Sequence, residues 1–151
     1  MKNLIDIKKP IIFTSDHGGY ELKEKLKGWL VEHGFKVDDV GTNSAEPVDY
    51  PGFTKKAVKL VLHHKTVGIF VCGAGVGVSI VANRFKGIRA ALPGNNEIVT
   101  QLSRQHNDAN VLCLGGRFID FEDAKKLVQI FLETPALGDA HARRVRAIDE
   151  N

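Results

Sequence analysis

Cysteine is scarce: Cys72 and Cys113 are the only two in 151 residues, too few for a disulfide framework. No Cys-x-x-Cys and no His-x-x-x-His pair occurs, so no structural zinc site is expected. Two unpaired thiols suit a reducing compartment, and a cytoplasmic protein is expected. An excess of one charge is missing too. Lys and Arg number 21 against 18 Asp and Glu, a net +3. A nucleic-acid-binding domain ordinarily shows a stronger imbalance and a basic stripe, so no nucleic-acid partner is expected. No apolar run approaches the roughly 18 residues that cross a bilayer, which sets aside a membrane partner. The first ten residues hold Lys2, Lys8 and Lys9 but not the apolar stretch of a secretory leader. Linkers, repeats and low-complexity segments are lacking as well. What remains is one domain over residues 1–151, with residues 1–9 as an N-terminal extension. With 43 % hydrophobic and 26 % charged residues, it can bury a core of its own.

Glycine, by contrast, is plentiful at 15 and clustered. Five short apolar runs punctuate the chain: Ile11 to Phe13, Phe35 to Val40, Val67 to Cys72, Ile88 to Leu92 and Asn110 to Leu114. Most are continuous rather than alternating, as in strands covered on both faces of a parallel sheet. Helical patterns separate them. Leu22, Leu26, Trp29 and Leu30 form the apolar face of the first, with Glu21, Lys23, Glu24, Lys25 and Lys27 on the polar face and Gly34 as its stop. Phe53, Ala57, Leu60 and Val61 mark the second, entered at Pro51. A third opens in the glycine run at residues 75–77 and a fourth covers roughly residues 95–105. The fifth is capped by Asp120 and ended by Pro135, and a last basic helix runs from about Asp139 to Asp149. Strand and helix therefore alternate throughout, which predicts βαβ units and a three-layer α/β/α sandwich.

In such sheets the ligand lies beyond the carboxyl ends of the strands, where the winding reverses. A first half ordered 2-1-3 puts the loops Ser15-Asp16-His17-Gly18-Gly19 and Cys72-Gly73-Ala74-Gly75-Val76-Gly77 side by side. The glycines at 73, 75 and 77 miss the dinucleotide spacing, because position 78 is Val, and no Gly-Lys-Ser/Thr follows. What is left is a tight loop whose N–H groups can cradle an anion. Cys72 at its mouth reads as a packed strand-end thiol or as a thiolate favoured by those dipoles, and the glycine nest tips the balance to the second. Asp16 reads equally as a cap of the first helix or as a site carboxylate. The cluster Ser103-Arg104-Gln105-His106-Asn107-Asp108 reads as a solvated helix end unless a ligand reaches it. Arg117 and the group His141, Arg143, Arg144 and Arg146 read as solvated charge or as guanidinium forks for a phosphate.

Several segments in order and spacing resemble type B ribose-5-phosphate isomerase. They are Asp16-His17-x-Gly19, Asp49-Tyr50-Pro51, the run from Cys72 through Gly77 to Ser79-Ile80-x-Ala82-Asn83-Arg84, Gly87-Ile88-Arg89-Ala90, Ser103 to Asn107, and Asn110-Val111-Leu112. The resemblance spans about Pro10 to Ile148. It implies a five-stranded, parallel, doubly wound Rossmann-like sheet of order 2-1-3-5-4 with an extra C-terminal helix. It implies a cofactor-free, metal-free interconversion of ribose 5-phosphate and ribulose 5-phosphate through a cis-enediolate, a step of the pentose phosphate pathway. By the same resemblance His106 opens the sugar ring, Cys72 moves the proton between C2 and C1, and Asp16 joins them as a catalytic group. His17, Tyr50 and Asn107 would hold sugar hydroxyls or the ring oxygen. The amides of Gly73, Ala74, Gly75, Val76 and Gly77 would hold the enolate oxygen, and Arg117 and Arg144 the phosphate. The resemblance also implies a homodimer or a tetramer of dimers, with His106, Asn107 and Arg117 reaching into the neighbour's site.

Two positions depart from the family pattern. Ala74 stands where a Thr or Ser hydroxyl is usual, and Gly138-Asp139-Ala140-His141 stands for Gly-Gly-Arg-His, so Ala140 replaces a phosphate arginine. A hydrogen bond lost to a charged group costs about 1.5–3 kcal/mol. These departures keep two other readings open: an isomerase of a six-carbon sugar phosphate such as allose or galactose 6-phosphate, and a sugar-phosphate-binding module without catalysis.

Overall fold

The computed structural model describes residues 6–151, so the first five residues of the expected N-terminal extension lie outside the described residues. Eleven elements follow in order: β1 (Ile11–Ser15), α1 (Tyr20–Glu32), β2 (Val37–Asp39), α2 (Tyr50–His64), β3 (Gly68–Cys72), α3 (Val76–Ala82), β4 (Ala90–Ala91), α4 (Glu97–Asn107), β5 (Val111–Gly115), α5 (Phe121–Glu133) and α6 (Ala140–Ala147). The five strands form one sheet in the order β2-β1-β3-β5-β4. Every neighbouring pair is parallel, the topology that the resemblance implies.

Alternation along the strands splits the core in two. Ile11 and Phe13 of β1, Ile69 and Val71 of β3, and Leu112 and Leu114 of β5 pack with the apolar faces of α1 and α5. Ile12, Phe70, Cys72, Val111 and Cys113 point to the other face and pack with Ala57, Val58 and Val61 of α2 and Val78 and Ala82 of α3. The continuous apolar runs are thus two interleaved faces, each covered by helices, as a parallel sheet demands.

The helix boundaries follow local chemistry. Gly34 has φ +86° just past α1, the left-handed stop that glycine takes without strain. The Asp120 side chain accepts the Asp123 N–H at the start of α5, and extended Thr134, forced by Pro135, ends that helix. The two edge strands are shorter than their apolar runs. β2 keeps three residues and β4 two. Phe35 and Ile88 are still buried, but each serves the core from a loop, because an edge strand has a hydrogen-bonding neighbour on one side only. α6 has no buried residue and packs on α4.

Candidate active site

Cys72 is the last residue of β3, and its chain then turns through the glycine loop into α3. Both cysteines are buried, Cys113 completely and Cys72 with 5 % of its surface exposed. Burial, with Cys72 nearby adding to it, pushes the Cys113 thiol well above its ordinary value, which leaves it inert. The Gly75 N–H donates to Cys72 Sγ at 3.2 Å. Gly75 itself has φ +78°, and a Cβ there would stand 2.6 Å from Leu92 Cδ1 and 3.0 Å from the Leu114 carbonyl carbon. Only glycine fits that corner. α3 is seven residues long, too short for much of a macrodipole, so the loop amides themselves supply the positive field at the sulfur.

Three loops meet around it. A Cβ on Gly18 would lie 2.9 Å from the Gly73 nitrogen, which brings the β1–α1 loop against the β3–α3 loop. The Gly116 N–H donates to the Cys72 carbonyl at 2.8 Å and the Arg117 N–H to the Gly73 carbonyl at 3.1 Å, which adds the β5–α5 loop. A Cβ on Gly73 would meet an Arg117 guanidinium nitrogen at 3.1 Å, and one on Gly77 would meet the Tyr50 ring at 2.7–3.0 Å. Asp16, Gly73, Ala74, Gly75, Val76, Gly77, Tyr50 and Arg117 are therefore gathered at the carboxyl end of the sheet. Arg117 is exposed, and among the described residues it forms no ion pair.

Asp16 does not cap α1. Gly19 holds the cap position without a side-chain bond, and the Asp16 carboxylate accepts the Gly19 N–H at 3.2 Å, shaping the turn before the helix. The Val48 N–H donates to His17 Nδ1 at 3.2 Å, which puts the proton of the neutral ring on Nε2. A cavity of about 420 Å³ opens beside this loop, lined by His17, Gly18, Lys25, Ala45, Gly116 and Arg117 among others.

His106, Asn107 and Arg144 are elsewhere in the chain. α4 ends at Asn107 and leads into the start of β5, whereas Cys72 ends the parallel neighbour β3. A five-residue strand spans roughly 16 Å, so His106 lies near the opposite end of the sheet. There its ring stacks on His141 of α6, with centroids 4.2 Å apart and planes 5° from parallel. Arg144 follows on the same short helix and is exposed. Arg117, expected to reach into a neighbour's site, has its guanidinium beside Gly73 of its own chain, because β5 borders β3 in the sheet.

The match to the Ribose/Galactose Isomerase family runs over residues 11–148. The chain belongs to the ribose/galactose isomerase family. Within the family it is 44 % identical to ribose-5-phosphate isomerase B of Escherichia coli over 141 residues, 93 % of this chain and 94 % of that one. It superposes on a ribose 5-phosphate isomerase of Thermotoga maritima with a TM-score of 0.91 at 48 % identity, covering 95 % of this chain and 99 % of the other. It also superposes on ribose-5-phosphate isomerase B of Mycoplasma genitalium with bound ribulose-5-phosphate, with a TM-score of 0.88 at 37 % identity over 97 % and 100 % of the two chains. The chain is thus an isomerase by family, and no helix among the described residues is long and apolar enough to cross a membrane.

Another cavity lies away from Cys72. It holds about 440 Å³ at the other end of the sheet, where Arg89, Arg104 and Asp108 line it. Its arginines are occupied: Arg89 donates to the Asn107 and Asp108 carbonyls, and Arg104 to Asp108, to the Ala109 carbonyl and to the Thr134 carbonyl. One residue near the site escaped the sequence reading. Lys23, assigned to the polar face of α1, is fully buried. Its spacing to Leu26 and Leu30, three and seven residues on, was the available signal.

Proposed function

We propose that this chain interconverts ribose 5-phosphate and ribulose 5-phosphate, with Cys72 as the base. The observation that carries the reading is the Cys72 sulfur, facing the Gly75 N–H at 3.2 Å in a loop flanked by Arg117 and Tyr50. A proton on carbon next to a carbonyl is only weakly acidic, so its removal needs a placed base and donors aimed at the developing oxyanion. The Cys72 thiolate takes the C2 proton of the open-chain aldose. The electron pair left behind forms the C1–C2 double bond, and the C1 carbonyl oxygen becomes the oxyanion of a cis-enediolate. Cys72 then returns the proton to C1 as the C1–C2 double bond opens, the C2 hydroxyl passes its proton to the C1 oxyanion and its C–O bond becomes the carbonyl, which leaves the ketose with a C1 hydroxyl. Loop amides between Gly73 and Gly77 would hold the oxyanion, and they do so without the hydroxyl that Ala74 lacks. Asp16, His17 and Tyr50 suit the sugar hydroxyls, and Arg117 suits the phosphate.

His106 and Asn107 complete this scheme only from a second copy. The β4 edge of the sheet carries exposed apolar side chains: Val76 and Ile80 on α3, Leu92 after β4, Ile98 and Leu102 on α4. A patch of this kind favours association. A homodimer that buries it would bring one chain's His106, Asn107 and Arg144 to the other's Cys72, and dimers would pair further into a tetramer by other faces. Two free cysteines fit a cytoplasmic setting.

The test is turnover of ribose 5-phosphate against allose 6-phosphate and galactose 6-phosphate. Preference for the pentose is expected, and a faster six-carbon substrate would redirect the reading. The Cys72→Ala variant should lose at least about 100-fold in kcat while it keeps its melting temperature and its affinity for ribose 5-phosphate. Full activity in that variant would remove Cys72 as the base.

A further inference from the structure

Lys23 sits on the first turns of α1 with none of its surface exposed. A buried ammonium is expensive to desolvate, and an apolar side chain of similar volume would ordinarily serve the core as well. Here its N–H groups are spoken for. Nζ donates to Asp39 Oδ2 at 2.6 Å and to the Thr42 carbonyl at 2.7 Å, with Glu24 a further 3.7 Å ion-pair partner. The Tyr20 ring lies 5.4 Å below the charge.

What those bonds hold is the segment that leaves β2. The Asp39 carboxylate also accepts the Gly41 N–H at 2.9 Å. The Thr42 N–H donates to the Ser15 carbonyl at 2.9 Å, the residue before Asp16. Gly41 presses so close that a Cβ there would stand 2.3 Å from the Ser15 nitrogen. From Thr42 the chain crosses to Tyr50. On the way it gives its Val48 N–H to His17 and lends Ala45 to the cavity wall. Lys23 therefore ties two site-bearing segments together from beneath: the Asp16–Gly19 turn at the head of its own helix, and residues 40–49, which deliver Tyr50.

We propose that Lys23 is a positioning residue for sugar recognition, setting the 40–49 loop so that His17 and Tyr50 face the same substrate. It touches no reacting atom. The inference rests on the isomerase reading above and adds to it a group that acts through others. Lys27 is the natural contrast: it shares Asp39 at 2.6 Å, is partly exposed, and makes no hydrogen bond to the loop.

Steady-state kinetics on ribose 5-phosphate with the full-length protein tests it. Lys23→Met should raise KM about tenfold while kcat stays within about twofold, the pattern of lost substrate placement. Lys27→Met should leave both constants within about twofold of the parent. Asp39→Asn, which keeps the volume and loosens the same clamp, should raise KM about threefold. It carries the test by itself if Lys23→Met does not accumulate as folded protein. An unchanged KM in Lys23→Met or, failing that, in Asp39→Asn overturns the proposal. So does a fall in kcat alone that tracks the folded fraction, since that is what a purely structural lysine would give. An inactive parent protein overturns the isomerase reading and this inference together, whereas an active parent with unaltered variants overturns this inference only.

Discussion

Glycine at this site is used for closeness more than for flexibility. Gly77 has ordinary helical backbone, yet a Cβ on it would press into the Tyr50 ring at 2.7–3.0 Å. Gly73 differs, because the atoms its Cβ would meet, from 3.1 Å outward, belong to the end of the flexible Arg117 side chain. The two positions should therefore respond differently to one methyl group. Gly77→Ala should displace Tyr50 and raise KM for ribose 5-phosphate by about tenfold, because an aromatic ring at the head of α2 cannot yield without moving the helix. Gly73→Ala should cost about threefold or less, since the guanidinium can swing aside. Kinetics on the pair checks this, and equal effects would mean that Tyr50 is not held as described.

Among the elements, α1 and β2 depend on each other through a single carboxylate. Burial by itself would push the Asp39 carboxyl up. Hydrogen bonds from Lys23 and Lys27, the Gly41 N–H and the Lys23 charge outweigh it and hold the group below its usual 3.8. A depressed carboxyl contributes stability above that value and loses it as the pH falls through the folded-state titration. Asp39→Asn should therefore cost about 1.5–3 kcal/mol at neutral pH, and the deficit should shrink as the pH is taken below about 3.8. Thermal melts of parent and variant between pH 7 and pH 3 would show it, and a deficit independent of pH would assign the loss to packing. The helices themselves were legible because their signals are local: Gly34 and Asp120 act within one turn of where they stand. Lys23 was not legible, because a residue at the border of an apolar stripe is buried or exposed according to what packs on it. Here that is the chain leaving β2, far away in sequence.

For the molecule as a whole, the residues of the proposed site fall at opposite ends of one chain's sheet. Cys72, Asp16, His17, Tyr50 and Arg117 stand at the carboxyl ends of the strands, and His106, Asn107 and Arg144 toward the other. If a dimer joins the halves, two inactive variants should rescue each other. In a hybrid of Cys72→Ala and His106→Ala chains, one site has both functional halves and the other has neither. Random pairing makes half of the dimers hybrids, so mixing after dissociation and reassociation should restore about a quarter of parental activity. No recovery on mixing would place both residues in one chain's site and contradict the shared arrangement.

The alternation of elements, the two loops that meet at the winding reversal and the thiol at the mouth of one of them are legible in the chain before it folds. Each of these is written in a short stretch of chain, in apolar periodicity, glycine spacing and caps. It took the folded chain to show that the Arg117 guanidinium stands beside Gly73 of the same chain, that His106 lies a sheet-length from Cys72, and that Lys23 is sealed under the 40–49 loop. Those outcomes depend on which strand borders which and which loop crosses which helix. Such long-range packing is the joint result of many residues and is recorded in no single segment.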